Sequence, residues 1–143
     1  VRNGLVSAAA AEAYAARIIE RFGVVARGAA AEADSLSGGN LQKYILGRAM
    51  LQQPKLLVAA HPTWGVDVGA AAQIHRALIE LRDAGAAILI VSEDLDELLA
   101  ISDRIAVISG GRLSPSIAAE GAARERIGEW MTGLFGDGDR HAA

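Results

Sequence analysis

Apolar residues recur at helical spacing through residues 7–22, where Ala11, Ala15, Ile18, Ile19 and Phe22 share one side and Glu12, Arg17, Glu20 and Arg21 lie elsewhere. The pattern predicts an amphipathic helix with one buried stripe. A loop rich in Ala, Gly and acidic residues follows over 23–34. Ser37 then opens a second helix with Leu41, Ile45 and Ala49 inward, and Pro54 stops it. Residues 56–60 are an unbroken apolar run, as expected of a strand covered on both faces of a parallel sheet. After a loop over 61–68, a helix at 69–83 carries Ile74, Ala77, Leu78 and Leu81 inward and ends near Gly85. Residues 86–91 form a second wholly apolar strand, completing a βαβ unit.

Asp94 and Glu97 are spaced like a capping box, so a short helix runs from there through Ile101. Residues 105–109, the pair Gly110-Gly111 and residues 112–114 read as strand, tight turn and strand, an antiparallel edge. A last helix over 117–134 packs Ile127, Met131 and Leu134, with Trp130 adjacent. No internal repeat or linker divides the chain, so residues 1–135 read as one α/β domain.

Composition narrows the classes. With 143 residues, 52% hydrophobic and 22% charged, the chain can bury a real core. It has no Cys, which excludes disulfides and thiolate metal or redox sites, and His61, His75 and His141 lack ligand spacing, so no metal is expected. A net charge of −3 with dispersed Lys and Arg gives no footprint for nucleic acid. No apolar run approaches the roughly 20 residues of a membrane span, and the N-terminus lacks a signal-peptide pattern. The chain begins with Val, and residues 136–143 are polar and Gly-rich; the expectation is a piece of a longer protein ending in a disordered tail.

The candidate chemistry starts at Ser37, Gly38, Gly39 and Asn40. A hydroxyl and two glycines at a helix start let backbone N–H groups approach an anion closely, and the helix dipole favours negative charge there. Capping and turning alone would use the same residues. Asp67 is likewise suited to cap the helix that follows. Trp64 is an aromatic in the 61–68 loop, suited to contact with nucleotide or partner or to packing at the surface.

The eight residues from Leu36 to Lys43, Leu-Ser-Gly-Gly-Asn-Leu-Gln-Lys, resemble the signature motif of ABC-type ATPases. The resemblance continues to Ser114 in the family's order. Residues 56–63 resemble a Walker B segment, residues 65–68 (Gly-Val-Asp-Val) a D-loop, and residues 91–94 the switch-histidine loop, before a terminal hairpin. Three positions depart from the family. Ala60 and His61 stand where an Asp holding Mg²⁺ and a catalytic Glu are expected, and Glu93 stands where a His contacts the γ-phosphate. Ala has no oxygen for a hard cation, imidazole is a poor magnesium ligand, and a carboxylate repels polyphosphate. The only lysines, Lys43 and Lys55, follow Gln42 and Pro54, so these residues contain no Walker A motif.

The resemblance implies a partial P-loop NTPase fold: a mostly parallel sheet with flanking helices and a terminal hairpin, with residues 1–54 as helical signature region and 55–135 as the Walker B region. It implies the second ATPase half of a tandem importer for simple sugars or nucleosides, the substrate lean resting on residues 62–70. In that family two halves meet head to tail. Ser37, Gly38, Gly39 and Asn40 would contact the γ-phosphate of ATP held, with Mg²⁺, by the partner half, and Asp67 would support that junction. Ala60, His61 and Glu93 would belong to the opposite, degenerate site, and no residue of this fragment is assigned as catalytic. The further partners implied are membrane permease subunits, with the protein cytoplasmic and peripheral on the membrane's inner face. Two other classes stand beside this one: an ABC-type ATPase of DNA repair or chromosome structure, which predicts heptads and a basic surface not seen in the sequence, and an inert α/β interaction domain indifferent to ATP.

Overall fold

The structure, a computed structural model, describes residues 7–135. They fall into two compact units, 7–92 and 93–135. The α/β class and the hairpin are as expected.

In the first unit, helix α1 (Ala8–Phe22) begins at Ser7, whose hydroxyl accepts from the Ala10 N–H at 3.4 Å. It ends at Gly23, whose φ of 58° few other residues adopt cheaply. Ala15, Ile18 and Phe22 are buried. Ala11, one turn earlier, is exposed, so the buried stripe is shorter than the periodicity suggests. Helix α2 (Gly38–Met50) buries Leu46, Gly47 and Met50 rather than Leu41, Ile45 and Ala49. The reason is Gly47: a Cβ there would lie 2.5 Å from Phe22 Cδ2, so α1 settles its terminal ring on the bare spot that Gly47 leaves late in α2 and turns the helix accordingly. Lys43 Nζ donates to the Gly23 carbonyl at 2.7 Å, closing the same junction from the polar side.

Strand β1 (Leu56–Ala60), helix α3 (Val68–Asp83) and strand β2 (Ala87–Val91) form the βαβ unit, with β1 parallel to β2 in the register Val58 to Leu89. Helix α3 buries Ala70, Ile74 and Leu78, leaving Ala77 and Leu81 half-buried. The sheet is covered on one face only. Leu57 and Ala59 are buried, whereas Leu56 and Val58 are each about 60% exposed and Leu89 and Val91 about half. The apolar runs predicted burial on both faces; among the described residues only the helical side supplies a layer.

The second unit packs helix α4 (Leu95–Ile101) and helix α5 (Arg124–Met131) with four two-residue strands. Strand β3 (Arg104–Ile105) pairs antiparallel with β6 (Ile117–Ala118), and β4 (Ile108–Ser109) with β5 (Arg112–Leu113) through Gly110 and Gly111, both at positive φ as a tight hairpin turn requires. The core holds Ile105, Val107, Ile127, Trp130 and Phe135, with Leu95 and Leu98 packed against it. The long terminal helix expected over 117–134 is instead β6 and the shorter α5. Pro115 and the pairing of Ile117 with Ile105 hold the first part extended, and Gly133 at φ 89° ends the last turn. Met131 and Leu134 consequently point outward, at 47% and 72% exposure, while Trp130 is buried. The tail expected at 136–143, with His141, lies outside the described residues.

Candidate functional site

The polar features of the first unit converge on the start of α2. Ser37 occupies the N-cap position with extended backbone (φ −64°, ψ 156°), and its carbonyl accepts from Leu41 N–H at 2.8 Å. Its side chain does not cap the helix. The hydroxyl instead accepts from Asn40 Nδ2 at 2.9 Å, and Asn40 Oδ1 accepts from Val25 N–H at 2.9 Å. Asn40 therefore ties the loop after α1 to the α2 turn and draws the Ser37 oxygen away from the helix. The first N–H groups of any helix have no partner within it, and here they sit at the positive end of a 13-residue helix without a side-chain acceptor.

The two glycines do different work. Nothing lies within 4 Å of where a Gly38 Cβ would be, so that position faces open space. A Cβ on Gly39 would lie 2.7 Å from the Gly65 carbonyl oxygen and 3.6 Å from Val66 Cα. Gly39 is thus required for the start of α2 to touch the loop between β1 and α3.

That loop is held from several directions. Gln42 Nε2, one turn beyond Gly39 on the same helix face, donates to the carbonyls of His61 (3.0 Å) and Pro62 (3.4 Å). His61 takes a left-handed φ of 47°, costing about 1 kcal/mol for a non-glycine residue, and its N–H donates to Val91 at 2.8 Å. Trp64 N–H donates to the His61 carbonyl at 3.1 Å, and the two rings lie 6.1 Å apart at 59°. The loop ends at Asp67, whose Oδ1 accepts from Ala70 N–H at 2.9 Å and caps α3. This bond above all, opposed by burial and helped by the Asp67 and Gly69 N–H groups and the Lys43 charge, holds the carboxyl below its ordinary value of 3.8.

The structure therefore brings Ser37, Gly38, Gly39, Asn40, His61 and Asp67 into one neighbourhood, with Ala60 ending β1 beside it. Glu93 belongs to the second unit, exposed and next to Asp94, which caps α4 through Glu97 N–H at 3.0 Å. Gln42 and Lys43 carry much of the bracing, a role that the sequence signals only through their spacing of three and four from Gly39. Among the described residues no group of three or more His, Cys, Asp or Glu side chains could hold a metal ion, and no helix is long and apolar enough to cross a membrane.

No protein-family model matches the chain. It is similar to the nucleoside import ATP-binding protein NupA of Lactococcus lactis subsp. cremoris, 43% identical over 120 residues that make up 84% of this chain and 24% of that protein. The guanosine import ATP-binding protein NupO of Bacillus subtilis is 48% identical over 101 residues, 71% of this chain and 20% of that protein. The ribose import ATP-binding protein RbsA of Lacticaseibacillus paracasei is 39% identical over 142 residues, 99% of this chain and 28% of that protein. The chain spans about a quarter of the length of these curated relatives. Among solved structures, a dimeric ATP-binding cassette in a post-hydrolysis state bound to ADP and Pi superposes with a TM-score of 0.70 at 22% identity, over 84% of this chain and 52% of that one. A nucleotide-free cassette of an ABC transporter gives 0.59 at 28% identity, over 82% and 44%.

Proposed function

We infer, from a chain homologous to the ATP-binding proteins of ABC importers for sugars and nucleosides and sharing the fold of their cassettes, that it is the C-terminal part of a second ATPase half. In this reading it supplies the signature turn in trans. Ser37, Gly38, Gly39 and Asn40 meet the γ-phosphate of ATP held by a partner half, and Asp67 approaches the same junction. Hydrolysis there energises import of a simple sugar or nucleoside through permease subunits, with the protein on the cytoplasmic face of the membrane.

The observation that carries the reading is the start of α2. Its first-turn N–H groups have no side-chain cap, because the Ser37 hydroxyl is engaged by Asn40, and Gly38 faces open space. A phosphate oxygen can reach those donors without meeting a side chain. The one-sided sheet supports the same reading, since a further layer of an α/β fold covers such an apolar face. Ala60 and His61 offer no oxygen side chain, so the residues present do not fit magnesium, and the metal belongs with the partner half. Glu93, a carboxylate, would itself repel a phosphate.

The test places this chain in the Lactococcus lactis protein over the 120 aligned residues and measures ATP hydrolysis. Gly38→Asp, which the open space accommodates, sets a negative charge among the phosphate donors and is expected to lower turnover about a hundredfold or more. His61→Ala is expected to keep most of the activity. Equal losses from the two changes would overturn the asymmetric assignment.

A further inference from the structure

The most exposed large apolar side chains among the described residues are Val68 at 88%, Trp64 at 81% and Val25 at 75%. Single exposed hydrophobics are ordinary. These three, however, stand on segments that meet the start of α2. Val25 is bonded through its N–H to Asn40; Trp64 precedes Gly65, whose carbonyl abuts Gly39; and Val68 opens α3 directly after the Asp67 cap. Each lies within two residues of a group bonded to or packed against the first turn of α2.

Trp64 is also held in place. Its loop is fixed by the left-handed His61 and Gly65, by the Trp64 N–H bond to His61, by the two Gln42 bonds and by the buried Pro62. An indole displayed on a rigid loop loses little conformational freedom on association, which is the property of interface anchors. An apolar border also keeps water from the phosphate and strengthens each N–H contact to it.

We propose that Trp64, flanked by Val25 and Val68, is the apolar anchor by which this face docks on a second ATPase cassette that carries the nucleotide. The proposal rests on the functional reading above and extends it from the phosphate contacts to their border. The occupant has to present phosphate and an apolar wall together. A nucleotide-loaded cassette does both, whereas free phosphate or an acidic peptide offers only the anion. A cassette of the same fold is itself a dimer bound to ADP and Pi.

The experiment uses the same Lactococcus lactis protein carrying this chain, with oxidative footprinting read by mass spectrometry at Trp64, with and without a non-hydrolysable ATP analogue. Trp64 oxidation is expected to fall several-fold with the analogue, while Trp130, only 1% exposed, stays unreactive throughout. Trp64→Ala is expected to raise the ATP concentration for half-maximal hydrolysis about tenfold, and Trp64→Phe to restore most of it, which a merely structural role for so exposed a residue would not produce. If Trp64 stays equally reactive with the analogue while Gly38→Asp still abolishes hydrolysis, the anchor fails and the functional reading stands. If Gly38→Asp leaves hydrolysis intact, both fail.

Discussion

The starts of α2 and α3 meet where Gly39 faces Gly65, yet their capping residues behave in opposite ways. Asp67 bonds its own helix, accepting from Ala70 N–H at 2.9 Å. Ser37 does not; its hydroxyl turns to Asn40, and α2 begins without a side-chain cap. Two neighbouring helix ends built from good capping residues thus differ in whether their dipole end is closed locally or left for an external acceptor. For Asp67 the structure realises the local role, and any contact with a partner is additional to it. For Ser37 it leaves the external role open.

The largest expected effect tests the contact that joins the two ends. Gly39→Ala pushes a Cβ to within 2.7 Å of a backbone oxygen that cannot move without shifting the loop, and should cost about 1–3 kcal/mol in chemical denaturation. Gly38→Ala, with nothing within 4 Å, should cost nothing measurable. Equal behaviour of the two would mean that the helix ends are not in close contact. A smaller effect sharpens the role of Asn40. Asn40→Ala removes the bonds to Val25 and Ser37 but frees the hydroxyl to cap α2, so the net loss should be about 1 kcal/mol. In a Ser37→Ala background that compensation is gone, and a double-mutant cycle should show the two residues coupled.

The smallest effect is confined to acid. Asp67 has a folded pKa below its ordinary value, so its stabilisation is complete above the unfolded carboxylate range and disappears as pH falls through the folded value. Between about pH 5 and pH 3, the stability gap between the native chain and Asp67→Asn, followed by thermal melting, should therefore narrow. Ser37→Ala should change no such pH dependence.

The caps made the helix starts at 8, 38, 68 and 95 legible in the sequence, because Ser7, Ser37, Asp67 and Asp94 are each good at the position they occupy. The faces were harder to read. α2 is rotated by a contact with Phe22 that requires Gly47, and a glycine carries no hydrophobic signal. Pairing of Ile117 with Ile105 outweighed the helical reading of residues 117–123, a long-range preference that local periodicity does not contain. The signature-like turn was legible as residues. That its serine is held by Asn40, and that Gly38 and Gly39 divide open approach from close packing, needed the folded backbone.

The outward face of β1 and β2 bears finally on solubility. Leu-Leu-Val-Ala-Ala and Ala-Ile-Leu-Ile-Val are short, uncharged windows of the type that template strand-on-strand aggregation, and among the described residues these two strands make up the sheet. Lys55 immediately before β1 and Glu93 shortly after β2 are the charges nearest them, one of each sign. By position they suit the role of gatekeepers. A substitution that neutralised either would change little in the fold and much in how long the chain stays dispersed.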